Sequence, residues 1–141
     1  RLNWTCEAKR ALGVAMLSLV VGSCSVDGGP DLTGAQPSRL CFRNTYGERE
    51  GERDRQQLIV AIDGDRATGS YDWLPAFKDK RRGTFKGDFS DGVVRGDYTF
   101  LQEGKRETVS IAITITEDAA LVSGGPPELG LKASIQRVAC D

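Results

Sequence analysis

The sequence predicts an all-β domain, an antiparallel up-and-down meander of about eight strands closed into a small barrel. A two-sheet sandwich is the alternative. Three observations point there. From residue 39 onward apolar and polar side chains alternate with a period of two, as half-buried strands require. Acidic-Gly pairs punctuate the alternating runs where tight hairpins would turn. Seventeen glycines in 141 residues favour turns and coiled strands over helices.

In chain order, the first strand is expected near 39–46, an apolar segment that holds Cys41. The charge run GEREGERDR (47–55) follows as a solvated loop. A strand near 56–63 leads to Asp63-Gly64, read as a type I′ turn because both central residues of that turn need positive φ. The strand near 66–73 puts Ala67, Gly69, Tyr71 and Trp73 on one face. LPAFKDKRR (74–82) connects it to a strand near 82–90, where Phe85, Gly87 and Phe89 share a face. Asp91-Gly92 turns into 93–102, with Val94, Gly96, Tyr98 and Phe100 aligned. Glu103-Gly104 opens 105–116, whose Val109, Ile111, Ile113 and Ile115 face inward. Glu117-Asp118, a strand near 119–124, the linker GGPPELG and a last strand near 132–140 complete the set. Sequential hairpins without a crossover helix favour the meander, and closure removes exposed edges. The inward set is rich in Phe, Tyr, Trp and Ile, so side chains are expected to fill the interior. Gly69, Gly87 and Gly96 then relieve crowding beside aromatics. A cavity floor beneath a ligand is the alternative use of these glycines.

Lys9 and Arg10 precede thirteen uncharged residues, Ala11 to Ser23, the physical form of a secretory signal. The run is shorter than the roughly 18–20 residues of a transmembrane helix. Position 1 is Arg and the one Met is Met16, so the sequence is expected to begin inside a longer reading frame or at a non-Met start. Val21-Gly22-Ser23-Cys24 resembles the lipobox of bacterial lipoproteins. That resemblance implies cleavage before Cys24, lipid attachment to Cys24 and membrane anchoring in the cell envelope. Ser25, not Asp, follows the cysteine, which by the same resemblance implies outer-membrane delivery, on the periplasmic side or the outer surface. Residues 24–38, rich in Gly, Pro, Ser and Asp, read as a flexible linker reaching a few tens of Å by the roughly 5–6 Å × √n rule. The chain thus divides into a signal peptide (1–23), a lipid-anchored linker (24–38) and a barrel-like domain (39–141).

With Cys6 in the signal and Cys24 as the anchor, Cys41 and Cys140 remain. In the oxidising compartment that the signal implies, a disulfide between the first and last strands is the economical reading. A pair of buried free thiols is the alternative.

The segments KDKRRGTFKG and DYTFLQEGKRE, with Thr68-Gly69 before them and Ser123-Gly124-Gly125 after, resemble a group of small bacterial envelope lipoproteins. Those chains carry a lipobox, a short linker and a β domain, so the resemblance implies that organisation and no activity.

Charges nearly cancel, 19 basic against 20 acidic, and removing residues 1–24 moves the net charge from −1 to −3. Without a basic face, nucleic acid is not an expected partner. Histidine is absent, which excludes Ser-His and Cys-His catalysis and His-ligated zinc. Asp63 and Asp65 lack the further ligands of a calcium loop and read as a solvated turn. Asp97, Glu103 and Glu107 read as charged surface rather than an acid–base pair, and Ser110 and Ser134 have no positioned base. No catalytic residue, cofactor or metal site is expected. The remaining candidate is a basic connection, Phe77, Lys78, Lys80, Arg81 and Arg82, suited to an acidic envelope protein or a glycan. The expected function is a monomeric, non-enzymatic binding, inhibitor or structural module. Small periplasmic lysozyme inhibitors resemble it in architecture, without their motifs being evident. A lipocalin-like carrier of a small apolar ligand is the alternative.

Overall fold

The computed structural model describes residues 37–141. The expected signal peptide, Cys24 and the linker up to residue 36 lie outside the described residues. Eight strands follow one another: β1 (Ser38–Tyr46), β2 (Asp54–Asp63), β3 (Arg66–Leu74), β4 (Arg81–Ser90), β5 (Val93–Gln102), β6 (Lys105–Ile115), β7 (Ala119–Gly124) and β8 (Ala133–Val138). One turn of 3-10 helix, Pro127–Leu129, precedes β8. Each strand pairs antiparallel with the next, and β8 returns to β1, so the sheet is a closed barrel in meander order. The sandwich arrangement is thereby excluded. Ser38, assigned to the linker by its composition, already pairs with Ile62 across β1 and β2.

Alternation decides what the barrel contains. Phe42, Leu58, Val60, Tyr71, Val94, Tyr98, Ile113, Ala120 and Ile135 are fully buried, and Phe85, Phe100, Ile111 and Val122 nearly so. The Tyr98 ring lies 5.6 Å from that of Tyr71 and 5.1 Å from that of Phe100. Its hydroxyl reaches across β4 to donate to the Tyr71 carbonyl at 2.6 Å. Gly83 permits this crossing, since a Cβ there would stand 2.6 Å from Tyr98 Cε2. Gly69 serves the same purpose under Phe85, whose Cζ would lie 2.5 Å from an added Cβ. Both glycines are filled against, not hollow, so their use is close packing of rings on the sheet.

An even number of strands gives the barrel two unlike ends. The start of β1, the end of β8 and the connections β2–β3, β4–β5 and β6–β7 lie at the turn end. The loops 47–53, 75–80 and 125–132 lie at the loop end with the short β5–β6 turn. Asp91-Gly92 (φ 51° and 76°) and Glu103-Gly104 (φ 51° and 74°) have positive φ at both central residues, as a type I′ turn requires. The β2–β3 turn differs from expectation. Asp63 still pairs with Arg66, so Gly64 and Asp65 are the central residues and only Gly64 has positive φ, the II′ pattern with Gly first.

The seam between β1 and β8 is the shortest ladder, pairing Cys41 with Val138 and Phe42 with Arg137. Two devices extend it. A disulfide joins Cys41 to Cys140 at the turn end. Farther up, the Asn44 amide stands in for a backbone peptide. Its Nδ2 donates to the Ser134 carbonyl at 2.7 Å, and its Oδ1 accepts from Gln136 N–H at 3.1 Å.

Candidate functional site

The loop end gathers the polar groups that the fold does not need. Of the basic connection, Phe77, Lys78, Lys80 and Arg82 are exposed, Phe77 at 80%. Arg81 is not with them. β4 begins at Arg81, and alternation with Gly83 and Phe85 turns its side chain into the barrel mouth, where it is 4% exposed. The same alternation could have found it in the sequence by stepping back two residues at a time from Phe85.

Arg81 has no carboxylate within ion-pair distance among the described residues. Its guanidinium carbon lies 5.8 Å from the Trp73 ring and 5.8 Å from the Phe100 ring. Each such face contributes about 0.5–2 kcal/mol of cation–π attraction. Nη1 donates to the Leu129 carbonyl at 2.5 Å, tying β4 to the 3-10 turn, while Nε has no partner. Nor has the Tyr71 hydroxyl or Gln102 Oε1, both buried. Burial pushes the Tyr71 and Tyr98 phenols up from their ordinary value, outweighing the downward pull of the Arg81 charge. Both stay neutral at physiological pH, and neither supplies Arg81 with a counter-charge. Beside this arginine opens a cleft of about 370 Å³, lined by Gln56, Trp73, Arg81, Gln102, Glu128 and Leu129.

A second recess lies outside the barrel wall at the same end. About 460 Å³ in volume, it brings Arg53 and Arg55 of the β1–β2 region beside Lys80 and Arg82, with Glu50 on its edge. None of these four cations forms an ion pair among the described residues. The two connections are held together by Ala76 N–H, which donates to Asp54 Oδ1 at 2.9 Å. On the neighbouring strand, burial raises the Asp72 carboxyl above its usual value, against the Gly83 N–H and the Arg82 charge. The sequence showed no basic face because these cations come from two separated segments; folding makes a local one.

The remaining candidates lie on the outer surface. Asp97, Glu103 and Glu107 are exposed, as are Asp63 and Asp65 at the β2–β3 turn; Ser110 stands opposite Asp97 across β5 and β6, on the outer wall. Among the described residues, no group of three acidic or cysteine side chains could hold a metal ion.

Comparison with known protein families, curated proteins and solved structures finds no match to this chain. Its chemistry is therefore read from the loop end itself.

Proposed function

We propose that the chain is a non-enzymatic binding module of the bacterial cell envelope, anchored through a lipid on Cys24 and engaging an acidic partner through its loop end. One observation carries the reading: β1 starts and β8 ends at the turn end, while Arg53, Arg55, Lys80 and Arg82, without ion pairs among the described residues, collect at the opposite end. A tether at one end of a rigid barrel leaves the other free to meet a partner. Rim charges of this kind set encounter rate and salt dependence more than final affinity. The aromatic filling around Tyr71, Tyr98 and Phe100 speaks against a lipocalin-like carrier, whose ligand would need that volume.

The test is photo-crosslinking in an exporting bacterium, with a crosslinking amino acid at Phe77 or, as control, at Thr68 near the turn end. Crosslinks to a defined partner from Phe77 alone, lost in a Lys80→Glu/Arg82→Glu variant, are expected. Equal yields from both positions, or indifference to charge reversal, would overturn the reading. Anchoring is read separately: Cys24→Ala is expected to leave the membrane fraction and lose the lipid mass.

A further inference from the structure

We infer that the loop end docks on an anionic lipid surface, with Phe77 entering the interface and Arg53, Arg55, Lys80 and Arg82 meeting the lipid phosphates. This rests on the reading of the loop end as the binding end and names the acidic partner that it takes.

Four large apolar side chains stand exposed among the described residues, and three of them, Tyr46, Phe77 and Leu101, belong to the loop end. Phe77 is the extreme case, 80% exposed in the β3–β4 connection. A ring in that place adds nothing to the core and stays in water until another apolar phase covers it. Leu101 lies directly opposite Arg82 across β4 and β5, so the exposed leucine and the basic recess share the outer wall.

The charge around these groups is positive. The recess sets Arg53, Arg55, Lys80 and Arg82 against Glu50 alone, and Lys78 and Asp79 beside Phe77 cancel. Two further carboxylates of the adjoining strands turn to backbone donors: Asp54 accepts from Ala76 N–H, and Asp72 from Gly83 N–H. The four recess cations form no ion pair among the described residues.

The form of the patch selects lipid over protein. A specific protein interface surrounds a packed apolar core and takes about 800 Å² from each partner. Here the exposed apolar groups are single side chains set among cations, Phe77 next to Lys78 and Leu101 opposite Arg82. A bilayer interface asks for that pattern: rings rest among the headgroups, and Lys and Arg lay their apolar stems along the surface with the charge at the phosphates. Mobile lipids gather around each cation, so no fixed counter-geometry is needed.

The test uses the full chain with Cys24→Ala, so that no attached lipid holds it to the bilayer, titrated with nanodiscs carrying a nitroxide-labelled lipid. The readout is paramagnetic broadening of single amide signals by nuclear magnetic resonance. Discs of phosphatidylcholine alone are compared with discs that also contain phosphatidylglycerol. The anionic lipid is expected to add broadening at Ala76 to Lys80 and not at Gly64 and Thr68 near the turn end. Binding should tighten at least about tenfold with it, since each Lys or Arg at an anionic surface adds about fivefold. Lys80→Glu/Arg82→Glu should remove that gain, and Phe77→Ser should cost roughly tenfold while keeping the salt dependence. No added broadening at Ala76 to Lys80, equal added broadening at Gly64 and Thr68, or full binding by either variant would each overturn the inference. Charge-dependent crosslinks from Phe77 to a protein, without broadening by the anionic discs, would overturn it while the loop end stands as the binding end. Crosslinks that ignore charge reversal overturn that earlier reading by themselves.

Discussion

The two ends of this barrel solve different problems. At the turn end the connections are short, of two residues in β2–β3 and β4–β5 and three in β6–β7, and each uses local backbone chemistry: Gly64 first in its turn, Asp91-Gly92 with positive φ, and Thr116 bonded in both directions with Ala119. At the loop end three of the four connections are longer. Three of the four buried side-chain polar atoms left unpartnered among the described residues, on Tyr71, Arg81 and Gln102, belong to residues that reach toward it. Local agreement between sequence and structure is what makes a chain fold, and its violations collect where a protein meets other molecules. The turn end carries the fold, and the loop end is free to carry recognition.

That contrast can be broken by experiment. Its largest expected effect lies at the turn end, where Cys41→Ser/Cys140→Ser releases a loop with a sequence separation of 99. A loss of about 4–5 kcal/mol is expected in urea unfolding, and a loss under about 1 kcal/mol would mean that the ladder closes the barrel unaided. Next comes Asn44→Ala, which leaves the Ser134 carbonyl and Gln136 N–H without their bridge. It should cost about 0.5–1.5 kcal/mol and speed hydrogen exchange at Gln136, opening the seam from the loop side.

Alkaline titration sharpens the comparison in the barrel's middle. The folded state raises the Tyr71 and Tyr98 pKa values above their unfolded value, chiefly by burial. Their contribution is therefore fully present below the ordinary tyrosine value of about 10 and is lost as pH rises beyond it. Tyr98→Phe should flatten this loss, as read by thermal midpoints across the alkaline range. The smallest effects separate the ends again. Arg81→Leu should change stability by no more than about 1 kcal/mol, because deleting an unpaired buried charge offsets the lost Leu129 tie. A loss of about 3 kcal/mol would make Arg81 a structural clamp. Asp88→Ala removes an exposed pair with Arg66 near the turn end and should cost under about 1 kcal/mol.

Most strands were legible because alternation and turn chemistry are local. The inward rows Ala67–Gly69–Tyr71–Trp73 and Val94–Gly96–Tyr98–Phe100 lie on the inner wall as their spacing implies. β4 starts at Arg81, one residue before the expected 82, so Arg81 leaves the exposed basic connection for the inward row that Phe85 and Gly83 fix. Gln56 and Gln102 follow the same rule, two residues beyond Leu58 and Phe100. Two features have no local signal at all. Asn44 bridges to β8 only because β1 and β8 happen to meet. The basic recess exists only because the β1–β2 and β3–β4 connections lie side by side.

The first and last strands of the described residues lie side by side. With Cys41 bonded to Cys140, the described chain is topologically a ring of seven hairpin connections and one disulfide-closed seam, and its starting point is a matter of gene order. Joining the ends through a short peptide and reopening the ring at Asp91-Gly92 would give a circular permutant with every strand pair retained. Such a permutant could be hung from a surface by a different point on the turn end while presenting the same loops outward.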